Sequence, residues 1–393
     1  MKKIFFCVFI QIVITGFAVP NLSEIYKNRT IKVIPSPGFG KGTDWGSLFF
    51  DISKELAVAE NGNIFVSNGR QHNIFKFNTL GKHIGTYGRL GEGPGDLYYP
   101  GDLSIMDGRY LVIGGYGTKR RISVFDFLGK CMKVLKTDHS VYFPIALKKN
   151  KIAYIHNKYI NTGNNLKPGK SKKTIFINDT VSGKEFPVLS REFVEKNFVM
   201  IGSIMYSITD NNESGDLFIN RTLDGNLLVG SSNTPYIYIY SPEGKLLHSF
   251  RLQIKPIKVN EEYLKKFKDF FMADKRNERP AMNPNLIKKF KKLSFKDYFD
   301  TYLPLYREIL VDGEGNILIF KTSDCFENCN EVFQVYSPEG KFICETTIDK
   351  GDYDFKIDRR CKNIVFMKNA IYGLFQLKDS EDISLRLVKV DLD

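Results

Sequence analysis

The sequence predicts an all-β fold: a six-bladed β-propeller of four-stranded blades, closed by the N-terminal strand, with a helical insertion between blades 4 and 5. Three observations lead there. A strand–turn–strand grammar recurs along the chain with glycine at matching turn positions. The last copy runs out of chain after three strands, while a spare strand stands near the N-terminus. A glycine-punctuated stretch, Gly88–Pro100, separates the first two copies.

The chain opens with Lys2 and Lys3, an apolar run from Ile4 to Thr15 broken by Gln11, and the small-x-small triplet Gly16-Phe17-Ala18. That is the grammar of a signal peptide over residues 1–18, and it predicts an exported protein, periplasmic or extracellular. The alternative is retention as an anchor, for which the run is short against the ~20 residues of a span. No second stretch could cross a membrane, so no transmembrane segment is expected after cleavage. Residues 19–393 are then read as one propeller domain, expected to be a monomer.

The first copy runs from Glu55 to Gly88. Leu56–Ala59 and Ile64–Ser67 flank the turn Glu60-Asn61-Gly62-Asn63; Asn73–Phe77 and His83–Tyr87 flank Leu80-Gly81-Lys82. Asn-Gly between apolar runs marks a tight hairpin because both residues accept positive φ. Leu103–Leu135 repeats this with Asp107-Gly108 and Gly129-Lys130. Tyr142–Leu189 is looser, with a polar insertion over Asn161–Lys173, but keeps Gly183-Lys184. Leu217–Leu252 carries Asp224-Gly225-Asn226 and Pro242-Glu243-Gly244-Lys245; Arg307–Ile348 carries Glu314-Gly315-Asn316 and Pro338-Glu339-Gly340-Lys341. Cys361–Asp393 supplies three strands. The spare strand Thr30–Ile34 is expected to complete that last blade, since closure protects sheet edges that an open array would expose.

Between Lys255 and Pro304 the apolar period shifts to about 3.6. Asn260, followed by Glu261 and Glu262, predicts a helix start, and Asn283-Pro284 a second. Lys255–Lys296 holds 13 Lys and Arg against five Asp and Glu. This insertion, about 256–304, carries much of the chain's +13 formal charge. Three roles fit it: packing over the ring with a solvated Lys-rich face, docking an acidic partner, or lying on a membrane surface.

On these residues the copies resemble blades of the NHL-type six-bladed β-propeller. Gly88-Arg89-Leu90-Gly91-Glu92-Gly93-Pro94-Gly95, with Pro100, is similar to the inter-blade signature of exported bacterial six-bladed propeller proteins. Tyr302–Asp312 is similar to the start of a later blade in that group, which is largely uncharacterised. The resemblance implies architecture and brings no activity with it.

Chemistry-bearing motifs are sparse. Gly91-x-Gly93-x-Gly95 lacks the following helix and the Lys of a phosphate loop, and Pro94 removes a donor, so these glycines read as a sharp blade-to-blade turn. None of the five histidines (His72, His83, His139, His156, His248) lies in a Gly-x-Ser-x-Gly or His-Glu-x-x-His context. Asp102, Asp216, Asn220 and Asp312 stand near inner-strand ends, where a lactonase-like hydrolase or lyase would hold a hard cation in the channel; acidic and amide residues there are also ordinary turn formers. Cys325 and Cys329 are spaced to close a small disulfide loop in an oxidising compartment, and no nearby His or Cys completes a metal set. No cofactor is expected.

The leading expectation is a non-enzymatic binding or scaffold module. Its partner would be a protein, peptide or acidic glycan; export disfavours nucleic acid. Ligand candidates are the loop residues Arg89, Glu92, Arg120 and Arg121, and the insertion's Lys288, Lys289, Lys291 and Lys292.

Overall fold

The computed structural model describes residues 21–27, 30–43, 55–115, 120–161, 169–195, 198–201, 204–207, 216–273, 296, 299–325, 329–355, 357, 363–377 and 386–391. The expected signal peptide lies outside them, as do the second expected helix and Lys288, Lys289, Lys291 and Lys292.

A short helix α1 (Leu22–Lys27) and strand β1 (Thr30–Lys32) precede the repeats. The first sheet holds β2 (Leu56–Val58), β3 (Ile64–Asn68), β4 (Asn73–Phe77) and β5 (His83–Tyr87). The second holds β6 (Pro100–Met106), β7 (Tyr110–Gly115), β8 (Arg121–Asp126) and β9 (Cys131–Lys136). The third holds β10 (Tyr142–Leu147), β11 (Lys151–Asn161), β12 (Gly169–Asp179) and β13 (Glu185–Glu195). A separate hairpin, β14 (Phe198–Ile201) and β15 (Ile204–Ser207), comes before the fourth sheet. That sheet holds β16 (Leu217–Arg221), β17 (Leu227–Ser231), β18 (Tyr236–Tyr240) and β19 (Leu246–Arg251). Helix α2 (Glu261–Ala273) follows. The fifth sheet holds β20 (Tyr306–Val311), β21 (Ile317–Lys321), β22 (Glu331–Tyr336) and β23 (Phe342–Asp349). The sixth holds β24 (Tyr353–Asp354), β25 (Ile364–Phe366), β26 (Ala370–Leu377) and β27 (Arg386–Asp391).

Repeats one to five are antiparallel meanders, while in the sixth β26 pairs antiparallel with β24, β25 and β27; the inner strands adjoin in the order β25, β2, β6, β10, β16, β20. Leu103 N–H donates to Glu55 Oε2 (3.2 Å), Phe143 N–H to Asp102 Oδ2 (2.7 Å) and Asn220 Nδ2 to the Ile309 carbonyl (2.9 Å). These strands therefore line the central channel. Between each pair of neighbours lies a separate apolar core, and one joins the sixth sheet to the first: Leu56, Val66 and Phe77 pack with Tyr372, Leu374 and Leu387. The ring is closed. A middle strand such as β7 is apolar without alternation because both its faces are covered: Leu111 and Ile113 enter the core shared with blade 1, and Val112 the core shared with blade 3.

Closure differs in one respect from the expectation. Thr30–Lys32 does not complete the last sheet; it lies parallel to β23 as a fifth strand of the fifth sheet. The segment reaches the last blade further on, where Pro35 bridges Val390, Ser36 N–H donates to the Lys389 carbonyl (2.7 Å) and Phe39 packs edge-on to Tyr372. Burial explains the difference. Leu22, Tyr26, Ile31 and Val33 all insert into the core between blades 5 and 6, so the segment fills that wedge before it reaches β27.

The polar insertion expected over Asn161–Lys173 is also different: its described residues extend β11 and β12, paired as far as Asn161↔Lys170. In the helical insertion, the expected first helix is α2, with Tyr263 N–H capped by Asn260 Oδ1 (2.8 Å). Tyr263 and Phe267 are buried against Phe299, and the stem is pinned by the Lys258↔Tyr302 bridge.

Candidate functional site

The two ends of the ring differ. One carries the tight turns within blades, where Gly62, Gly81, Gly108, Gly129, Gly183, Gly225, Gly244, Gly315 and Gly340 all have positive φ. The third blade makes its first such turn with Lys149 (φ 59°) and Asn150 (φ 55°) instead. The other end carries the irregular connections: Gly88–Pro100, the passage 137–141, the helical insertion and the Cys325–Cys329 loop. Variable connections on a rigid scaffold are where ligands are met.

Gly88–Pro100 is internally tied. Arg121 spends its guanidinium on the loop's own carbonyls, Glu92 (3.0 Å), Gly91 (3.4 Å) and Asp96 (2.8 Å). Asp96 Oδ1 accepts from Arg89 Nε (3.0 Å) and Oδ2 from Gly93 N–H (2.8 Å). The Arg89 bond, then the Gly93 N–H, hold its carboxyl below the usual carboxylate range. Leu97 N–H returns to the Arg89 carbonyl (2.7 Å), folding the loop back on itself.

Past that fold the connector reaches the rim of the channel, since Pro100 opens the inner strand β6. Here Tyr98 and Tyr99 meet His72, from the blade-1 turn between β3 and β4. The His72 ring stacks on Tyr98 (5.7 Å between centroids) and meets Tyr99 edge-on (4.6 Å). His72 (φ 57°) and Tyr99 (φ 44°) are both left-handed, and Tyr99 N–H donates to His72 Nδ1 (3.0 Å). In the neutral ring this places the proton on Nε2.

The sequence-derived candidates fall into distinct positions. Arg89 is exposed on the outer limb of the loop, and Arg120 is exposed with its carbonyl accepting from Thr137 N–H (2.9 Å). Glu92 lies beside them through its carbonyl bond to Arg121. Arg121 is a clamp on the loop. Cys325 and Cys329 are joined in a disulfide, Cα–Cα 6.0 Å.

The four channel candidates do not converge. Asp102 accepts from Phe143 N–H, Asp216 pairs with Lys173 (2.7 Å), and Asn220 bridges to Ile309. Asp312 accepts from Tyr26 Oη (3.0 Å) and Asn316 Nδ2 (2.9 Å), anchoring α1, while burial pushes its carboxyl up. Among the described residues no three His, Cys, Asp or Glu side chains gather as metal ligands would. At the turn-bearing end, Arg221 of blade 4 crosses to the Ile105 carbonyl of blade 2 (2.9 Å), a tether between blades that are not neighbours.

Two clusters escape sequence reasoning because their members are far apart in the chain. One is His72–Tyr98–Tyr99. The other sits between blades 2 and 3: His139 and His156 rings lie 4.8 Å apart, Ser140 Oγ and His156 Nδ1 share a hydrogen bond (2.8 Å), and His139 lies 3.7 Å from Glu185. Glu185 also accepts from Tyr154 Oη (2.5 Å). Burial first, then His139, push the His156 imidazole down.

Six sheets around one channel define the class: the chain is a six-bladed β-propeller. In agreement, the family model DUF5128, described as a 6-bladed beta-propeller, matches residues 48–212. No curated protein matches the chain. Solved structures similar to it include a presumed exported protein from Bacteroides fragilis, at 10% identity, TM-score 0.46, covering 92% of this chain and 99% of that one. A duf4221 family member from Bacteroides vulgatus matches at 11% identity and TM-score 0.46, covering 87% and 94%. Virginiamycin B lyase from Staphylococcus aureus matches at 11% identity and TM-score 0.38, covering 82% and 76%. At these overlaps none of them bears on activity.

Proposed function

We propose that this propeller is an exported binding module whose ligand, a protein, peptide or acidic glycan, meets the connector-bearing end at His72, Tyr98 and Tyr99. The observation that carries this reading is the pair of left-handed, non-glycine residues, His72 and Tyr99, bonded to each other at the channel rim. Such backbone costs on the order of 1–3 kcal/mol per residue and clusters at ligand clamps. Tyr99 remains 37% exposed, so the strained backbone holds part of an aromatic ring in solvent. Arg89 and Arg120 place exposed guanidinium groups on the same end, suited to carboxylates.

The test is retention at low salt on immobilised heparin, polygalacturonate and envelope extracts, comparing the native chain with Tyr99→Gly. Glycine keeps the left-handed backbone and removes the ring. Binding by the native chain and its loss in Tyr99→Gly, with thermal stability retained, is the expected result. Failure of all three matrices to retain the native chain, or equal retention of the variant, sinks the reading.

A further inference from the structure

The turn-bearing end has its own pattern, unrelated to the connector face. The turn between the third and fourth strands of blades 1, 2 and 3 carries an apolar residue at its tip: Leu80 (69% exposed), Leu128 (87%) and Val181 (75%). Each is followed within three residues by an exposed lysine, Lys82, Lys130 or Lys184. In blades 4 and 5 the matching tips are Pro242-Glu243 and Pro338-Glu339, so the apolar tips form an arc over half the ring.

We propose that this arc seats the propeller on an anionic lipid surface. Isolated exposed apolar residues need no explanation; the same exposure at one structural position in three successive blades does. The tips are also chemically prepared for an interface poor in water. The N–H of each apolar residue is satisfied inside its own turn, Leu80 by Asn78 Oδ1 (3.0 Å), Leu128 by Asp126 Oδ1 (2.9 Å) and Val181 by Asp179 Oδ1 (2.9 Å). The N–H of the apolar residue at each tip therefore brings no unmet demand for water with it. Those bonds turn the Asp126 and Asp179 carboxylates inward; Asp179 also pairs with Lys151 (2.6 Å). The lysines remain to meet lipid phosphates.

The arc is rigid. Lys76 Nζ and Tyr87 Oη of blade 1 both donate to the Phe127 carbonyl (2.7 Å each), and Lys133 of blade 2 donates to the Thr180 carbonyl, so the second and third tips are each held by the preceding blade. Glu60 and Asp107 belong to the inner turns of blades 1 and 2 and lie inside the arc.

Charge selects an anionic lipid surface over a protein partner: each exposed apolar tip is flanked by an exposed lysine, Lys82, Lys130 or Lys184. Leu22 N–H bonds Glu314 Oε2 (3.0 Å) in a blade-5 turn, so the described N-terminal segment starts at this same end. The segment then passes onto blade 1, where Gly40 N–H donates to the Leu80 carbonyl (2.7 Å).

The test is amide hydrogen exchange on the full chain with and without vesicles of phosphatidylcholine containing about one third phosphatidylglycerol. Slower exchange in 78–82, 126–130 and 179–184, absent with phosphatidylcholine alone and absent in the Leu80→Ser/Leu128→Ser/Val181→Ser variant, is expected. Flotation should fall roughly tenfold in a Lys82→Glu/Lys130→Glu/Lys184→Glu variant wherever the arc supplies the attachment. Because the N-terminal run could hold the chain to vesicles unaided, the exchange pattern decides. Unchanged turns, protection at the connector end instead, or equal protection in the serine variant overturns the proposal.

Discussion

His156 shows how a single residue acquires behaviour its sequence neighbours do not announce. Its imidazole is disfavoured as a cation by burial, then by His139, Arg120 and Lys158, with the Ser140 bond opposing. The folded state therefore binds fewer protons at this site than the unfolded chain, whose histidines titrate near pH ~6.5. Its contribution to stability is present above that value and lost as pH falls towards the lower folded one. Thermal melts from pH 7.5 to 5 should show a decline that is shallower in His156→Gln; equal slopes in the two proteins would exclude His156 as the cause. Asp312 is a second such residue. It accepts bonds from Tyr26, Asn316 and the turn N–H groups while buried, so Asp312→Ala should cost about 3 kcal/mol by denaturant titration.

At the scale of the element, glycines that look alike in sequence carry different loads. Gly183 (φ +72°) has nothing within 4 Å of where a Cβ would stand, so Gly183→Ala meets backbone strain alone, about 1 kcal/mol. At Gly340 (φ +84°) the same atom would fall 2.3 Å from the Phe250 ring, whose opposite side packs in the core between blades 4 and 5. Gly340→Ala should lose about 3 kcal/mol or more, since overpacking adds to the strain. Equilibrium unfolding of both variants checks the ranking. The turns were legible in the sequence because a hairpin's backbone demand is local and glycine, asparagine and aspartate meet it wherever they sit. The β11–β12 extension was not. Its lysines and asparagines read as a loop, yet both strands continue because their backbone groups pair with each other regardless of polarity.

For the whole molecule, the N-terminal segment is the closure device. Tyr26 is fully buried, packs edge-on to Phe333 (5.7 Å), and bonds Asp312, 286 residues away in the chain. Tyr26→Ala should cost about 4 kcal/mol and lower the thermal midpoint in one cooperative step, because opening this wedge exposes both neighbouring blades. A separate early transition, with the rest of the ring melting unchanged, would refute that account. Strand count alone predicts that the spare N-terminal strand fills the incomplete last blade, and it does not. The wedge between blades 5 and 6 took the apolar residues of that segment first, leaving one bridge for the last strand.

Repeat number, blade grammar, turn positions and the first insertion helix were determined by the sequence alone, since each rests on contacts between residues a few positions apart. The blade on which the N-terminal strand closes the ring, the conversion of Arg121 into a loop clamp, and the assembly of His72 with Tyr98 and Tyr99 were decided only by tertiary structure. Those outcomes depend on which segments meet after the blades have packed, and no local periodicity encodes that meeting. The arc of Leu80, Leu128 and Val181 stands between the two: each tip is written in its own turn, but only the closed ring sets all three at one end.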